Sequence, residues 1–453
     1  VNRNKFGKRA TGALVAAAAL AAAVSMAGCG SAPAAKQEGK TGATSATLAM
    51  EKARANLDIA VPPKRAEKRP FLMTHYMPWF EAPPVSKNYG WHWHMGYTDP
   101  FQTDAKGYAQ IATHYYPLTG PYDSTDKDIL EYQTLLMKIA GIDGVIIDWY
   151  GVGPVLDYPV VHKASQALFA QVKKAGLKFA VCYEDQSVGK MVEAKAIPID
   201  QSIAAAKESL SWVMANWMKD PAYLTLADRP LLLDFGPQYA KLVMPSAWDQ
   251  VFAGMAPRPF FDTLDSHMES TADGSFAWPP MYLSGGGTLT PIALADYLNE
   301  FYRKQADNPH LVTSAFPGFY DYYSDAHVAK SYGYLDDSGG EILRLTLEAA
   351  AKARPDVVQL VTWNDYGEGT IIEPTVQKGY RDLETVQDFR RSYEPAFPYT
   401  KADLRIPLEV FKKRIDPKLG DADKARLDAL YAAVAGGDAV GAEKIARDLG
   451  IAK

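Results

Sequence analysis

Short apolar runs alternate with longer amphipathic stretches along most of this chain. Runs free of internal charge read as buried strands, and apolar residues recurring at helical spacing read as helices. The strands expected are Pro70 to Tyr76, Gly144 to Tyr150, Leu177 to Tyr183, Pro230 to Phe235, a weaker Pro259 to Asp262, Phe276 to Leu283, Leu311 to Phe316 and Val357 to Val361. Helices fall between them. Asp126 to Ala140 buries Leu130, Leu135, Leu136 and Ile139, with Thr125 and Asp128 spaced like a capping box. Tyr158 to Ala175 closes at Gly176, and Thr290-Pro291 starts a helix with proline in its first turn. Further helices are expected over 203–218, 341–354 and 383–393.

Strands separated by helices call for parallel pairing through right-handed crossovers. Eight such units predict an α/β fold, a (β/α)8 TIM barrel with long βα loops. An open doubly wound sheet would want a glycine-rich phosphate loop after the first strand. Met77-Pro78-Trp79-Phe80 stands there instead. The barrel is expected over 65–394. Residues 395–453 read as a small C-terminal helical appendix of three short helices.

The start of the chain has a different texture. Arg3, Lys5, Lys8 and Arg9 precede an alanine-rich apolar run and then Met26-Ala27-Gly28-Cys29. That order resembles the signal peptide and lipobox of a bacterial lipoprotein, over 1–29. It implies export, a lipid on Cys29 and anchoring in the cell envelope, at the outer membrane. Residues 30–64 hold few large apolar groups and read as a flexible tether. Cys182 is then the one remaining cysteine, so no disulfide is expected, and its apolar setting reads as a core thiol.

With 48 Lys and Arg against 53 Asp and Glu, the formal net charge is −5, and no basic block lies outside the first residues. Nucleic-acid binding has no support. The 9 Trp, 26 Tyr and 17 Phe cluster in polar, Gly- and Pro-rich loops as much as in apolar runs. Carbohydrate contact explains that placement better than core packing does.

In a barrel of this type the active site lies where strands end. The ends here carry Tyr76 and Trp79, Asp148 and Trp149, Glu184, Asp234, Asp262, Tyr320 and Asp321. The last strand runs into Thr362-Trp363-Asn364-Asp365-Tyr366-Gly367-Glu368-Gly369-Thr370-Ile371-Ile372-Glu373-Pro374. Paired carboxylates among aromatic rings suit glycoside hydrolysis, in which one acid protonates the leaving oxygen and its partner acts as base or nucleophile. A loop between the first strand and its helix adds Trp91, His92, Trp93, His94 and His114. His92 and His94 could hold a metal with a third ligand such as His114, Asp99 or Asp104, but no ligand triad is evident. A sugar-contacting rim is the preferred reading, with no metal and no cofactor.

The last-strand motif resembles one shared by two related glycoside hydrolase families, family 99 (endo-α-mannosidases) and family 71 (endo-α-1,3-glucanases). Up to Glu368 it is similar to family 71, and from Gly369 to Glu373 to family 99. His75-Tyr76-Met77-Pro78-Trp79, Phe179 to Glu184, and Ser314 to Asp321 resemble first-, third- and seventh-strand segments of family 99. The resemblance spans roughly 69–393. It implies Glu368 as general acid, Asp365 as its partner, and a tyrosine from strand seven in the site, with Tyr320 preferred over Phe319. Tyr76, Trp79, Trp91, Trp93, His114, Asp148, Trp149, Glu184, Trp363, Asn364, Tyr366 and Glu373 are the other expected substrate contacts. Family 99 implies retention through the sugar's own 2-hydroxyl, and family 71 inversion by water. The expected activity is internal cleavage of an α-mannan-like or α-glucan-like chain by a monomer. A glycan-binding lipoprotein without catalysis, or a metal-dependent carbohydrate esterase, are the competing readings.

Overall fold

A computed structural model describes residues 41–59, 65–265, 268 and 271–451. Eight parallel strands form the centre: β1 (Phe71–Tyr76), β2 (Gly144–Trp149), β3 (Lys178–Tyr183), β4 (Arg229–Asp234), β5 (Phe260–Leu264), β6 (Gly274–Phe276), β7 (Val312–Ala315) and β8 (Val357–Leu360). They pair in the order β6-β5-β4-β3-β2-β1-β8-β7. The two ends of that order lie side by side, so the sheet curls into a nearly closed (β/α)8 barrel. Side chains bridge the seam: Gln305 Nε2 donates to Ser275 Oγ at 2.8 Å and Asn308 Nδ2 to the Asp273 carbonyl at 3.0 Å.

Strand parity decides what each residue does. The parallel register sets His75 beside Ile146, and Asp148 beside Cys182. These side chains face the barrel interior, with Gln359 and Ser314 on β8 and β7. Their neighbours Tyr76, Trp149 and Tyr183 point out to the helices. The Tyr76 hydroxyl donates to Gln133 on the helix Lys127–Ala140, and Trp149 stacks on Trp212 of the helix Ser202–Asn216. Gly144 has a local reason: a Cβ there would meet the Lys178 carbonyl oxygen at 2.2 Å.

Several boundaries differ from expectation. The strand expected over 276–283 is Gly274–Phe276, because Pro279 and Pro280 have no N–H to donate to a ladder. A 3-10 turn, Met281–Ser284, follows. The first crossover helix is capped by Asp126, whose carboxylate accepts the Asp128 N–H, rather than by Thr125. The stretch read as a tether over 30–64 contains a helix, Thr41–Asn56. Met50, Ala53, Leu57 and Ile59 are buried, and the helix lies along the helix Pro291–Lys304. Asn56 donates to Asp296 at 2.5 Å and Arg54 pairs with Glu341 at 2.8 Å. Cys29 and its leader lie outside the described residues. Among those residues no helix is long and apolar enough to cross a membrane.

The tail packs on the barrel as three helices, Ile406–Arg414, Asp421–Ala435 and Ala439–Asp448. Arg414 pairs with Glu131 at 2.9 Å, and Phe411 packs on Tyr132.

Candidate active site

A cavity of about 730 Å³ opens at the C-terminal ends of the strands. From the expected site it gathers Trp79, Trp91, Asp148, Glu184, Asp365 and Glu368. It adds residues that were not anticipated, among them His75, Glu81, Tyr150, Tyr158, Phe235, Trp278 and Tyr323.

The loop after β8 is built around its own carboxylate. Asp365 Oδ1 accepts the Glu368 N–H at 2.9 Å, and Thr362 Oγ1 accepts the Asp365 N–H at 2.8 Å. The Gly369 N–H closes the turn on the Asp365 carbonyl at 2.9 Å. Gly369 has φ 70°, and a Cβ would lie 2.6 Å from the Tyr320 carbonyl oxygen, so glycine is required. The turn places Asp365 and Glu368 in one cavity wall.

Their protonation is set by burial first. Burial raises Asp365 to about 6; the Glu368 N–H and the imidazoles of His92 and His75 oppose that rise, and Asp148 adds to it. Burial holds Glu368 well above the usual carboxylate range, reinforced by the charges of Asp365, Asp321 and Asp148, while a hydrogen bond from Tyr323 pulls the other way. Glu184 is also raised well above its ordinary value, by burial and then by Asp148, Asp185 and Glu368.

Aromatic rings form the walls. Trp79 stacks on His92 with centroids 4.3 Å apart and planes 7° from parallel. His92 Nε2 meets Asp157 Oδ2 at 3.0 Å, which fixes the imidazole behind that indole. His94 turns elsewhere, its Nδ1 accepting the Gly96 N–H at 2.8 Å. The two histidines sit in the short helix Trp91–His94 and make separate contacts.

Many expected contacts lie away from the cavity. Tyr76 and Trp149 face outward by strand parity, one position out of phase with His75 and Asp148. Trp93 is fully buried, donating to the Tyr122 carbonyl at 2.8 Å and packed on Phe80. Trp363 is fully buried beneath the loop. Asn364 is spent on the backbone: its Oδ1 accepts the Met77 N–H at 2.8 Å and its Nδ2 donates to the Met77 carbonyl at 3.0 Å.

Glu373 accepts from Tyr122 at 2.9 Å, Tyr366 at 2.8 Å and Gln133 at 2.8 Å, so Glu373 and Tyr366 clamp the loop from behind. Burial raises Glu373 to about 7, and these donors oppose the rise. Tyr320 is 40% exposed and stacks on His114 at 3.6 Å, and neither lines the cavity. It pairs in a two-residue ribbon, Phe319–Tyr320 with Tyr334–Leu335, whose alternation buries Phe319 and turns Tyr320 outward. The strand-seven loop presents Tyr323 instead. Asp234 and Asp262 are buried and do not line the cavity.

Among the described residues, one cluster has donors close enough for a metal: His75, Asp148 and Cys182.

No family model matches the chain. The chain is 22% identical over 352 residues to the uncharacterized protein WxcX of Xanthomonas campestris pv. campestris, covering 70% of this chain and 49% of that protein. It thus spans about half the length of that relative. It is 22% identical over 347 residues to a glycoprotein endo-alpha-1,2-mannosidase-like protein of Danio rerio, covering 71% and 74%. An ascus wall endo-1,3-alpha-glucanase of Schizosaccharomyces pombe is 31% identical over 139 residues, 30% of this chain and 29% of that one. Among solved structures, the GH99 endo-alpha-mannosidase from Bacteroides thetaiotaomicron matches with a TM-score of 0.53 at 17% identity, covering 73% of this chain and 99% of that one. That match concerns the fold.

Proposed function

We propose that this chain is a glycoside hydrolase that cleaves internal α-linkages in an α-mannan-like or α-glucan-like glycan. One observation carries the reading: Asp365 and Glu368 share the wall of one aromatic-lined cavity, with their protonation pushed apart. Two carboxyls so separated divide into an acid and a base. Glu368 keeps its proton and gives it to the leaving oxygen. Asp365 ionises first and acts as the base. The glycosidic C–O bond breaks as that oxygen gains the proton, leaving an oxocarbenium-like sugar. In one course Asp365 removes the proton of the sugar's own 2-hydroxyl, whose oxygen attacks the anomeric carbon, and water later opens the strained ring. In the other Asp365 activates water directly.

Similarity to the mannosidase-like relative over most of the chain supports the first course and a mannan. The shorter match to the glucanase, 31% identical over 30% of this chain, keeps glucan within the substrate class. Trp79, braced by His92, supplies a ring face for the apolar side of a sugar.

The test is hydrolysis of defined α-mannans and α-glucans, with fresh product anomers followed by proton NMR. Internal cleavage of either supports the reading, and retention supports the neighbouring-hydroxyl course. No cleavage of any α-linked glycan, with tight binding of one, would make the protein a glycan receptor.

A further inference from the structure

We propose that His75, Asp148 and Cys182 form a binding site for one zinc-class divalent cation on the floor of the cavity, and that its occupancy shuts sugar out. The second half rests on the reading above; the first does not.

The imidazole is already set as a ligand. Gln359 Nε2 donates to Ser314 Oγ at 3.3 Å, so its Oε1 turns to His75 and meets Nδ1 at 3.1 Å. Nδ1 therefore carries a proton, and Nε2 is the nitrogen turned toward Asp148. That nitrogen is fully buried and has no hydrogen-bond partner among the described residues. It faces Asp148 Oδ1 at 3.9 Å, and Cys182 lies in the same group, with all three donor atoms within 4.8 Å of one another. A buried ring nitrogen and a carboxylate that face each other across 3.9 Å without a hydrogen bond leave room for a positive centre between them, and a metal ion fills it in place of a second ring proton. An imidazole whose second N–H is held by a side-chain carbonyl is the usual arrangement around a bound metal.

The donor set selects the class of ion. Calcium and magnesium want six or more oxygens, and this site offers one carboxylate. Imidazole, thiolate and carboxylate suit zinc and its neighbours. Binding breaks the Cys182 S–H bond, releases the proton to solvent and forms a sulfur–metal bond, with no change of oxidation state. Thiolate and carboxylate then balance the two positive charges. Nitrogen and oxygen ligands on a tetrahedral zinc lie about 3.4 Å apart, so the His75–Asp148 pair must close by roughly half an ångström, and Cys182 must rotate its sulfur in from within 4.8 Å. A water completes the shell from the cavity side, because His75 and Asp148 line the cavity that holds Asp365 and Glu368. An ion there withdraws Asp148 from sugar hydroxyls and fills the floor. It is an inhibitor, not a cofactor.

The full chain carrying Cys29→Ser has Cys182 as its one thiol. Titrating it with Co2+ should give a cobalt–thiolate charge-transfer band saturating at one equivalent, which Zn2+ removes. Zn2+ should also raise the thermal midpoint, in Glu368→Gln as well, where turnover plays no part. Cys182→Ala, with Cys182→Ser as its size-matched check, should lose band and shift. On a cleaved glycan, Zn2+ should raise apparent KM several-fold at constant kcat, and both cysteine variants should resist it. No band in the parent, or a band that survives in folded cysteine variants, overturns the site. A band with unchanged turnover overturns the exclusion of sugar. A band in a protein that cleaves no glycan leaves the site standing and removes the hydrolase reading instead.

Discussion

Asp365 and Glu368 differ in what an isosteric amide should do to them. Glu368→Gln removes the proton donor, so cleavage of a natural linkage should fall by about two to four orders of magnitude. Asp365→Asn should fall comparably. An activated aryl or fluoride glycoside separates the two, since a good leaving group scarcely needs protonation. Initial rates should recover in Glu368→Gln and stay low in Asp365→Asn; the reverse would exchange the roles. The pH profile follows from the same pair. The rate should rise as pH passes about 6, where Asp365 ionises, and fall at higher pH as Glu368 gives up its proton. Stability moves the other way for Asp365. Its folded carboxyl holds its proton to a higher pH than the unfolded one, so ionisation disfavours the fold as pH rises from about 4 to about 6. Asp365→Asn should therefore unfold at a higher temperature at pH 7.5, with up to about 3 kcal/mol of relief. The gain should vanish near pH 4, as calorimetry at the two pH values would show.

At the scale of elements, the loop after β8 is held from below more than from its own strand. Glu373 gathers Tyr122, Tyr366 and Gln133, and Tyr122 also receives a bond from Asn364 at 3.0 Å. Removing the acceptor leaves buried donors without partners, at about 1–3 kcal/mol each. Glu373→Ala should lower unfolding free energy by on the order of 3 kcal/mol in urea titration. It should also lower kcat without shifting the rising limb of the pH profile. An unchanged stability would mean that water replaces the carboxylate. The sequence grouped Glu373, Asn364, Trp363 and Tyr366 with the acid pair as substrate contacts, and none of the four lines the cavity. It could not separate those that support the loop from those that face the cavity, because a loop has no period to read.

On the scale of the whole molecule, the tail is part of the barrel's outer layer. Leu404, Leu427, Leu430 and Val434 are buried, and Gln171 donates to the Tyr431 hydroxyl at 3.0 Å. Ending the chain at residue 394 would uncover Tyr132 and leave Glu131 without Arg414. We expect that truncation to be insoluble or to melt well below the full chain, as circular dichroism would show. Activity should survive exhaustive dialysis against EDTA, since the acid pair carries the chemistry; loss restored by zinc would instead make the ion a cofactor. Palmitate labelling should be lost in Cys29→Ser, and label persisting there would remove the lipoprotein reading.

The alternation of apolar runs with helical periodicity determined a series of parallel strand–helix units, and eight of them without a glycine-rich loop after the first strand pointed to the (β/α)8 barrel rather than an open doubly wound sheet. The carboxylates after the last strand were likewise legible, because polar groups on glycine-rich turns at strand ends have few structural explanations. What tertiary structure alone decided was facing. His75 or Tyr76, Asp148 or Trp149 is a question of strand parity, and parity has no absolute origin until the register is known. Tyr323 replaced Tyr320 because a two-residue ribbon, invisible as a pattern at that length, turned the chain over. The helix Thr41–Asn56 was missed because its few apolar residues find burial only against a helix some 240 positions away. Local pattern names the elements and the chemistry, while which side chains meet in one cavity depends on contacts between residues far apart in the chain.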